Sequence, residues 1–127
     1  MLMRYCQLWL LGLCLSYSAY AAPPLVLETG QNTYSVGMHL DVLEDLTGEL
    51  EIEQVSSIAW HDKFTASTTK TPGFGSPNSA HWFRLKVQNS TIKNKFMLLK
   101  IQSVQIELLD VYVDDIEGWR HSRSGRD

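Results

Sequence analysis

Hydrophobic and polar residues alternate along much of this chain, and this pattern predicts β-strands rather than helices. The clearest predicted strand runs from Ala80 to Gln88. Side chains two residues apart lie on the same face of a strand. One face therefore carries Phe83, Leu85 and Val87, and the other carries Trp82, Arg84, Lys86 and Gln88. The apolar face is predicted to pack on the core, with Trp82 pointing away from it.

The preceding segment predicts a β-hairpin. Leu40 and Val42 alternate with an acidic residue before a turn at Asp45–Gly48, and Leu50 to Glu53 alternates again after it. This arrangement is typical of two strands with one buried face and one acidic face. Between Val55 and Phe64 the pattern is less regular. There Trp60 and Phe64 are four residues apart, which predicts a single helical turn that packs two aromatic rings on the core.

The C-terminal half predicts further strands. Phe96 to Ile101 is apolar on both faces and is therefore predicted to be a central strand. Val104 to Val113 is a second predicted strand, followed by a turn at Asp114–Gly118. Arg120 to Asp127 is polar and carries no strand pattern. The segment is therefore predicted not to pair with a sheet.

Short strands at roughly ten-residue spacing, with little helix, predict an all-β fold. The expected architecture is an antiparallel β-sandwich, jelly-roll-like in its connections. Nothing after the last predicted strand closes the sheet, and an open edge needs a covering segment or partner. We therefore expect residues 22–127 to form one domain that is truncated at its C-terminal end and lacks its last strands.

The first residues predict export. Arg4 precedes an apolar run from Leu8 to Leu15, and small residues lead to Ala19-Tyr20-Ala21. A charged start, a short apolar run and an A-x-A site are typical of a secretory signal peptide. The run is well short of the ~20 apolar residues that span a bilayer. Residues 1–21 are thus predicted to be a signal peptide, cleaved after Ala21 or Ala22, with a periplasmic or extracellular product.

Several kinds of chemistry receive no support. Cys6 and Cys14 both lie in the predicted signal peptide, so the exported domain would have no disulfide, cysteine–zinc site or thiol nucleophile. The four histidines (His39, His61, His81 and His121) lack metal-binding spacing, and no G-x-S-x-G sequence is present. We therefore expect no metal, no cofactor and no enzymatic activity.

The charge is mildly acidic and unevenly distributed. The formal net charge is -3, which argues against a nucleic-acid partner. Eight acids and no Lys or Arg lie between Pro23 and Asp62, whereas seven bases and no acid lie between Lys63 and Lys100. The favoured interpretation is that acidic and basic strands lie side by side, each cross-strand pair contributing ~0.2–1 kcal/mol. A basic groove for an anionic ligand is the alternative.

One aromatic constellation suggests binding. Trp82 and Arg84 share a face of the predicted strand, and Trp60, Phe74, His81 and Trp119 are candidates to lie near them. A flat ring beside hydrogen-bonding groups suits a sugar, whose C–H patches stack on the ring. The predicted ligand-binding residues are Trp82, Arg84, Trp60 and His81. The alternative is that Trp82 simply covers the open side of its sheet, because aromatic side chains dominate packed surfaces.

These segments also resemble a known family. The resemblance spans about Leu25 to Asp127. It is carried by five segments: Tyr34–Gly37, Leu40–Leu50, Gly73–Gly75 leading through Ser79–Leu85 to Asn89, Leu108–Trp119, and Arg123–Gly125. The family is the type 2 extracellular domain of the seven-transmembrane receptors with diverse intracellular signalling modules (7TMR-DISM). The resemblance implies a jelly-roll-like sandwich that senses a ligand, thought to be carbohydrate-like, outside the cytoplasmic membrane. In such receptors seven helices follow, then an output module such as a diguanylate cyclase or a histidine kinase.

The chain departs from this family in two respects. It has neither the helices nor an output module, and His81 occupies a position where the family usually has Tyr. We expect the ligand-sensing part of a bacterial membrane signalling receptor, with a small-molecule or glycan ligand and, in a full-length form, the receptor's membrane region as partners. A free-standing periplasmic carbohydrate-binding protein is the alternative. A hydrolase is a third possibility, but it needs an acid/base pair that the sequence does not display.

Overall fold

The computed structural model describes residues 20–73, 78–103 and 106–125. The described residues form seven strands and three short helices. Most of the strands pair in antiparallel sheets, which confirms the all-β class. The jelly-roll arrangement stays a prediction. The elements are β1 (Leu25–Leu27), a 3-10 helix (Gly37–His39), β2 (Leu40–Asp45), α1 (Ile52–Val55), α2 (Ile58–His61), β3 (Thr65–Ala66), β4 (Ala80–Leu85), β5 (Val87–Asn89), β6 (Leu108–Asp115) and β7 (Gly118–Gly125).

A three-stranded antiparallel sheet, in the order β3-β2-β4, contains the strand that the sequence predicts most clearly. In the register of β2 and β4, Asp41 lies opposite Arg84, Leu43 opposite Trp82 and Glu44 opposite His81. The acidic strand therefore pairs directly with the strand that carries Arg84. This is the arrangement that the charge distribution favours.

The predicted hairpin at residues 40–53 is wrong. The turn forms, because the buried Asp45 carboxylate accepts hydrogen bonds from the backbone N–H groups of Thr47, Gly48 and Leu50, each at 3.0 Å. The chain then enters α1 instead of a second strand. The Gln54 side chain accepts a hydrogen bond from the Glu51 N–H at 3.0 Å, which satisfies a donor at the helix start. Four alternating residues are too few to distinguish a strand from a helical turn.

The predicted helical turn around Trp60 forms, but only one of the two aromatic rings is buried, because Trp60 is half-buried. Trp60 lies in α2, and Phe64, which follows the helix, is 7 % exposed. Other buried apolar residues are Ala22, Leu25, Leu27 and Val55. The described core is therefore small and includes the start of the described chain.

One pair of strands is parallel, unlike the rest. β1 pairs with β5, with Leu25 opposite Val87 and Leu27 opposite Asn89. The predicted strand Ala80–Gln88 is interrupted at Lys86, whose carbonyl accepts a hydrogen bond from the Leu25 N–H at 2.8 Å. As a result β4 pairs with β2, and β5 pairs with β1.

β6 and β7 form an antiparallel hairpin in which Leu108 lies opposite Gly125 and Asp115 opposite Gly118. Gly118 has a φ of 112°, a conformation that favours glycine at this turn. The prediction that Arg120–Asp127 has no strand is wrong, because β7 extends to Gly125. Its residues are exposed on both faces, so hydrophobic alternation gives no signal for it.

The predicted central strand at Phe96–Ile101 is also wrong. The structure describes this segment without helix or strand, and the side chains of Phe96 and Leu98 are 99 % and 91 % exposed. An apolar run indicates burial only where another element covers it. Among the described residues, the helices are too short to span a membrane.

Candidate functional site

Arg84, a predicted ligand residue, forms an ion pair with the buried Asp41. Its Nε and Nη2 atoms donate hydrogen bonds to Oδ2 of Asp41 at 3.1 and 3.0 Å. The two side chains are 23 % and 4 % exposed. The guanidinium carbon also lies 4.3 Å from the centre of the Phe64 ring, and Nη1 lies 3.4 Å from Nδ1 of His61. The guanidinium is thus engaged on several sides and fixes α2 and the following residues to β2 and β4.

The second oxygen of Asp41 is engaged as well. Oδ1 accepts a hydrogen bond from the backbone N–H of Ala22 at 2.7 Å. Asp41 therefore joins the start of the described chain to Arg84 across the sheet. A carboxylate this deeply buried needs such partners, because desolvation of an unpaired charge is costly.

Trp82 connects the sheet to the C-terminal hairpin. Its ring stacks on that of Tyr112 in β6, with 5.9 Å between the centroids and an interplanar angle of 28°. The half-buried Trp82 side chain therefore packs against another element. The packing interpretation of Trp82 accounts for this contact.

A third ring extends the row. His121 in β7 lies directly opposite Tyr112 and stacks on it, with centroids 4.5 Å apart and planes 10° apart. We call Trp82, Tyr112 and His121 the Tyr112 stack. Trp82 and Tyr112 are half-buried, and the row ends at the exposed His121.

A charged pair lies beside the Tyr112 stack. Nε and Nη2 of Arg123 donate to Oδ1 and Oδ2 of Asp110 at 2.7 and 3.0 Å, and Nε2 of His121 lies 2.7 Å from the same Oδ1. Arg123 is 59 % exposed and Asp110 is 25 % exposed. The hydrogen bond from Arg123, followed by that of His121, holds the pKa of Asp110 below 3.8, although burial opposes the shift. Asp110 is therefore ionised at neutral pH.

The Tyr112 hydroxyl stays protonated at neutral pH. Burial, assisted by the negative charges of Asp110, Glu51 and Glu53, raises the pKa of Tyr112 above 10.0. A protonated hydroxyl can donate a hydrogen bond as well as accept one. The stack and the charged pair together offer flat rings, a hydroxyl, a carboxylate and a guanidinium on one face of the hairpin.

The other two predicted ligand residues lie elsewhere. His81 follows Ala80 on β4 and points to the opposite face from Trp82, with Nε2 3.9 Å from Oε1 of Glu44. The Trp60 ring has the Lys63 ammonium 4.9 Å from its centre. Trp119 shares the hairpin face of His121 and is 41 % exposed, whereas Phe74 lies outside the described residues.

A separate cleft lies near β1 and β5. Its volume is about 260 Å³, and it is lined by Thr29, Gly30, Asn32, Thr91, Ile92, Lys93 and Lys95. The Lys95 ammonium donates to the backbone carbonyls of Glu28 and Gln31. Lys95 therefore ties the loops of this cleft together. In the described ranges, no group of three His, Cys, Asp or Glu residues could hold a metal ion.

Comparison with known families assigns the chain. The family model described as 7TMR-DISM extracellular 2 matches residues 37–127. The chain belongs to this family. It is therefore an extracellular sensor domain of a receptor family, with an extracytoplasmic location. No curated protein matches the sequence.

The matched residues include all three members of the Tyr112 stack, which lie on β4, β6 and β7. Of the stack, sequence reasoning identified Trp82 and missed Tyr112 and His121, as well as the neighbouring Asp110–Arg123 pair. A usable pattern existed, since Trp119, His121 and Arg123 occupy alternate positions. It was overlooked because β7 lacks the aliphatic residues that normally indicate a strand.

Proposed function

We propose that this extracellular 7TMR-DISM domain binds a carbohydrate-like ligand on the Tyr112 stack. Ligand binding would then be signalled to the membrane region of a bacterial receptor. The family match supports the receptor role. The observation that supports the ligand class is the row of three rings beside the half-buried Asp110 and the exposed Arg123. The site differs from the predicted one by replacing Arg84, Trp60 and His81 with residues of the hairpin.

The chemistry of the Tyr112 stack matches that of a sugar. A pyranose presents an apolar C–H face, which can lie on an aromatic ring, and hydroxyl groups around its edge. Arg123 can donate to those hydroxyls, and the ionised Asp110 can accept from them. Hydrogen bonds to charged groups are about twice as strong as those between neutral groups. Ring and charged pair would thus fix both the face and the edge of one sugar unit.

The proposed role is binding without catalysis. A general acid must hold a proton near neutral pH. The low pKa of Asp110 removes its proton there, because Arg123 and His121 stabilise the carboxylate. An ionised Asp110 suits hydrogen-bond recognition better than proton donation.

Calorimetry with peptidoglycan fragments and neutral oligosaccharides tests the ligand class. We expect Arg123→Ala to weaken binding of the best glycan roughly tenfold, because a charge-assisted hydrogen bond is lost. Arg120→Ala is the matched control. Arg120 is 72 % exposed, lies one register position from His121 on the opposite face of the hairpin and pairs with Asp115. Its removal should leave the affinity unchanged.

Equal losses for both arginine variants would show that net charge, rather than the Tyr112 stack, determines binding. No heat of binding with any glycan of the panel would reject the carbohydrate-like ligand. The receptor role has its own test in the DNA downstream of codon 127. An in-frame continuation that encodes membrane helices supports it, whereas a stop codon with a stable, glycan-binding product favours a free-standing periplasmic protein.

A further inference from the structure

At the start of the described chain, burial changes sharply between Ala21 and Ala22. Tyr20 is 83 % exposed and Ala21 is exposed, whereas Ala22 is 7 % exposed. Its backbone nitrogen donates to Oδ1 of Asp41 at 2.7 Å, and Arg84 binds the other oxygen of the same carboxylate. The buried Ala22 is thus hydrogen-bonded to a buried negative charge.

This boundary coincides with a cleavage pattern. The small residues Ala19 and Ala21 stand at the positions that signal peptidase requires before its cut. The sequence alone leaves two cleavage sites open, after Ala21 and after Ala22. Only the first makes the nitrogen bound by Asp41 the new end of the chain.

We propose that the exported protein begins at Ala22 and that its α-ammonium group binds Asp41, forming a buried ion cluster with Arg84. The cluster is a site for the protein's own processed N-terminus. It is distinct from the Tyr112 stack and independent of which ligand the domain senses.

The processing step is a hydrolysis. The bond between the Ala21 carbonyl carbon and the Ala22 nitrogen breaks, and the oxygen of a water molecule bonds to that carbon. The resulting Ala21 carboxylic acid gives up its proton, and the Ala22 amine, having received the other water proton, takes it up. The products are a carboxylate on the released peptide and an ammonium on Ala22.

Cleavage changes what Asp41 binds. In the uncut chain Ala22 offers one neutral N–H, whereas the ammonium offers three N–H groups and a positive charge. Asp41 is 3 % exposed, and a buried charge is stabilised most by an opposite charge that is hydrogen-bonded to it. A cut after Ala22 would place the ammonium on Pro23, about 3.8 Å further along the chain.

The first experiment identifies the mature end. The full 127-residue chain is expressed in a bacterium, and the periplasmic product is analysed by intact mass and N-terminal sequencing. We expect a product that begins at Ala22. A product that begins at Pro23 or that retains residues 1–21 would overturn the proposal.

The second experiment measures the charge contribution. The periplasmic product is acetylated in urea at pH 6.5, where an α-amine, with an ordinary pKa of about 7.7–8.0, reacts before the lysines at about 10.4. Acetylation keeps one N–H and removes the charge. After refolding, we expect the folding equilibrium constant at pH 6.5 to fall at least about fivefold, since a charged hydrogen bond is replaced by a neutral one.

An Asp41→Asn variant supplies the control, because it keeps an acceptor and removes the partner charge. In that background acetylation should change stability little, which a double-mutant comparison resolves. Equal effects of acetylation in both proteins would overturn the proposal. If Asp41→Asn does not fold, the wild-type protein still decides, because unchanged stability after acetylation contradicts an ion pair at Ala22.

Discussion

Among the described residues, two Asp–Arg ion pairs join residues that lie directly opposite each other on antiparallel strands, and these two pairs differ in exposure. Asp41 lies opposite Arg84 on β2 and β4, and Asp110 lies opposite Arg123 on β6 and β7. In the first pair the aspartate is 4 % and the arginine 23 % exposed. In the second the values are 25 % and 59 %. The same two residue types, in the same register relation, thus occupy a buried and an accessible setting.

The difference in exposure determines how much each pair is expected to contribute to folding stability. Removing one partner of a buried ion pair leaves an uncompensated charge and costs about 3–5 kcal/mol, whereas exposed pairs contribute about 0–1 kcal/mol. Loss of either partner of the buried Asp41–Arg84 pair is therefore expected to destabilise the fold strongly. The Asp110–Arg123 pair contributes less to folding, and its exposed guanidinium remains accessible to a ligand.

Replacing each arginine in turn should give the largest difference in stability between the two pairs. We predict that Arg84→Ala lowers the free energy of unfolding by about 3–5 kcal/mol, because Asp41 is left buried with less compensation. Arg123→Ala should lower it by less than about 1 kcal/mol. Urea unfolding followed by circular dichroism measures both. Similar losses in the two variants would show that the exposure of the pair does not determine its contribution to stability.

The link between the two regions should give the next largest effect. Trp82→Ala removes the ring that stacks on Tyr112, and we predict a loss of about 2 kcal/mol, below the value for a fully buried tryptophan. Trp119→Ala is the matched control, because Trp119 is 41 % exposed. Its removal should cost less than about 1 kcal/mol. Thermal unfolding of both variants gives the comparison, and a larger loss for Trp119 would contradict it.

Acid should weaken the sheet through Asp45. Burial raises the pKa of Asp45, but hydrogen bonds from Leu50, Thr47 and Gly48 lower it further, to a net value below 3.8. Its contribution is fully present above pH 3.8 and is lost as the pH falls through the folded pKa. Unfolding measured from pH 6 to pH 2 should thus show a smaller acid loss for Asp45→Asn than for wild type. Glu49→Gln, at an exposed position directly after the same turn, is the matched control for the removal of one acid.

The smallest effect on folding is expected at Asp110. Its pKa is lowered first by the hydrogen bond from Arg123, so its contribution also disappears as the pH falls below 3.8. Because Arg123 is mostly exposed, solvent screens the pair. We predict a loss below about 1 kcal/mol for Asp110→Asn at pH 7, measured by urea unfolding. A loss as large as that of Arg84→Ala would place Asp110 in the scaffold.

The sequence contained enough to predict the all-β class, β4 and the family resemblance. The strand β4 was predictable because Phe83 and Leu85 alternate with Trp82 and Arg84. The prediction that its apolar face packs on the core is wrong, because Phe83 and Val87 are exposed. The role of Arg84 was not predictable, because its partner Asp41 is 43 residues away and only the strand register brings them together. Residues 50–53 alternate like a strand, but the side chains of Asp45 and Gln54 accept local hydrogen bonds from the Leu50 and Glu51 N–H groups, which favours a helical turn.

The pairing of β6 and β7 could not be predicted, for a different reason. Tyr112 and His121 meet because β6 and β7 pair, and β7 carries polar side chains that hydrophobic periodicity cannot detect. In contrast, Phe96–Ile101 has a strong apolar pattern and stays exposed at Phe96 and Leu98. The hydropathy pattern therefore predicts the strand β4, which carries Arg84, better than the strand β7, which carries Arg123.

Mapping the ligand contact by NMR tests most directly whether the exposed pair, rather than the buried one, meets the ligand. Amide and indole signals of the exported domain are followed while peptidoglycan fragments and neutral oligosaccharides are added. We predict that the largest shift changes occur at Tyr112, His121 and Arg123 and at the Trp82 indole. Changes centred on Asp41 and Arg84, or on the cleft lined by Lys93 and Lys95, would contradict this assignment.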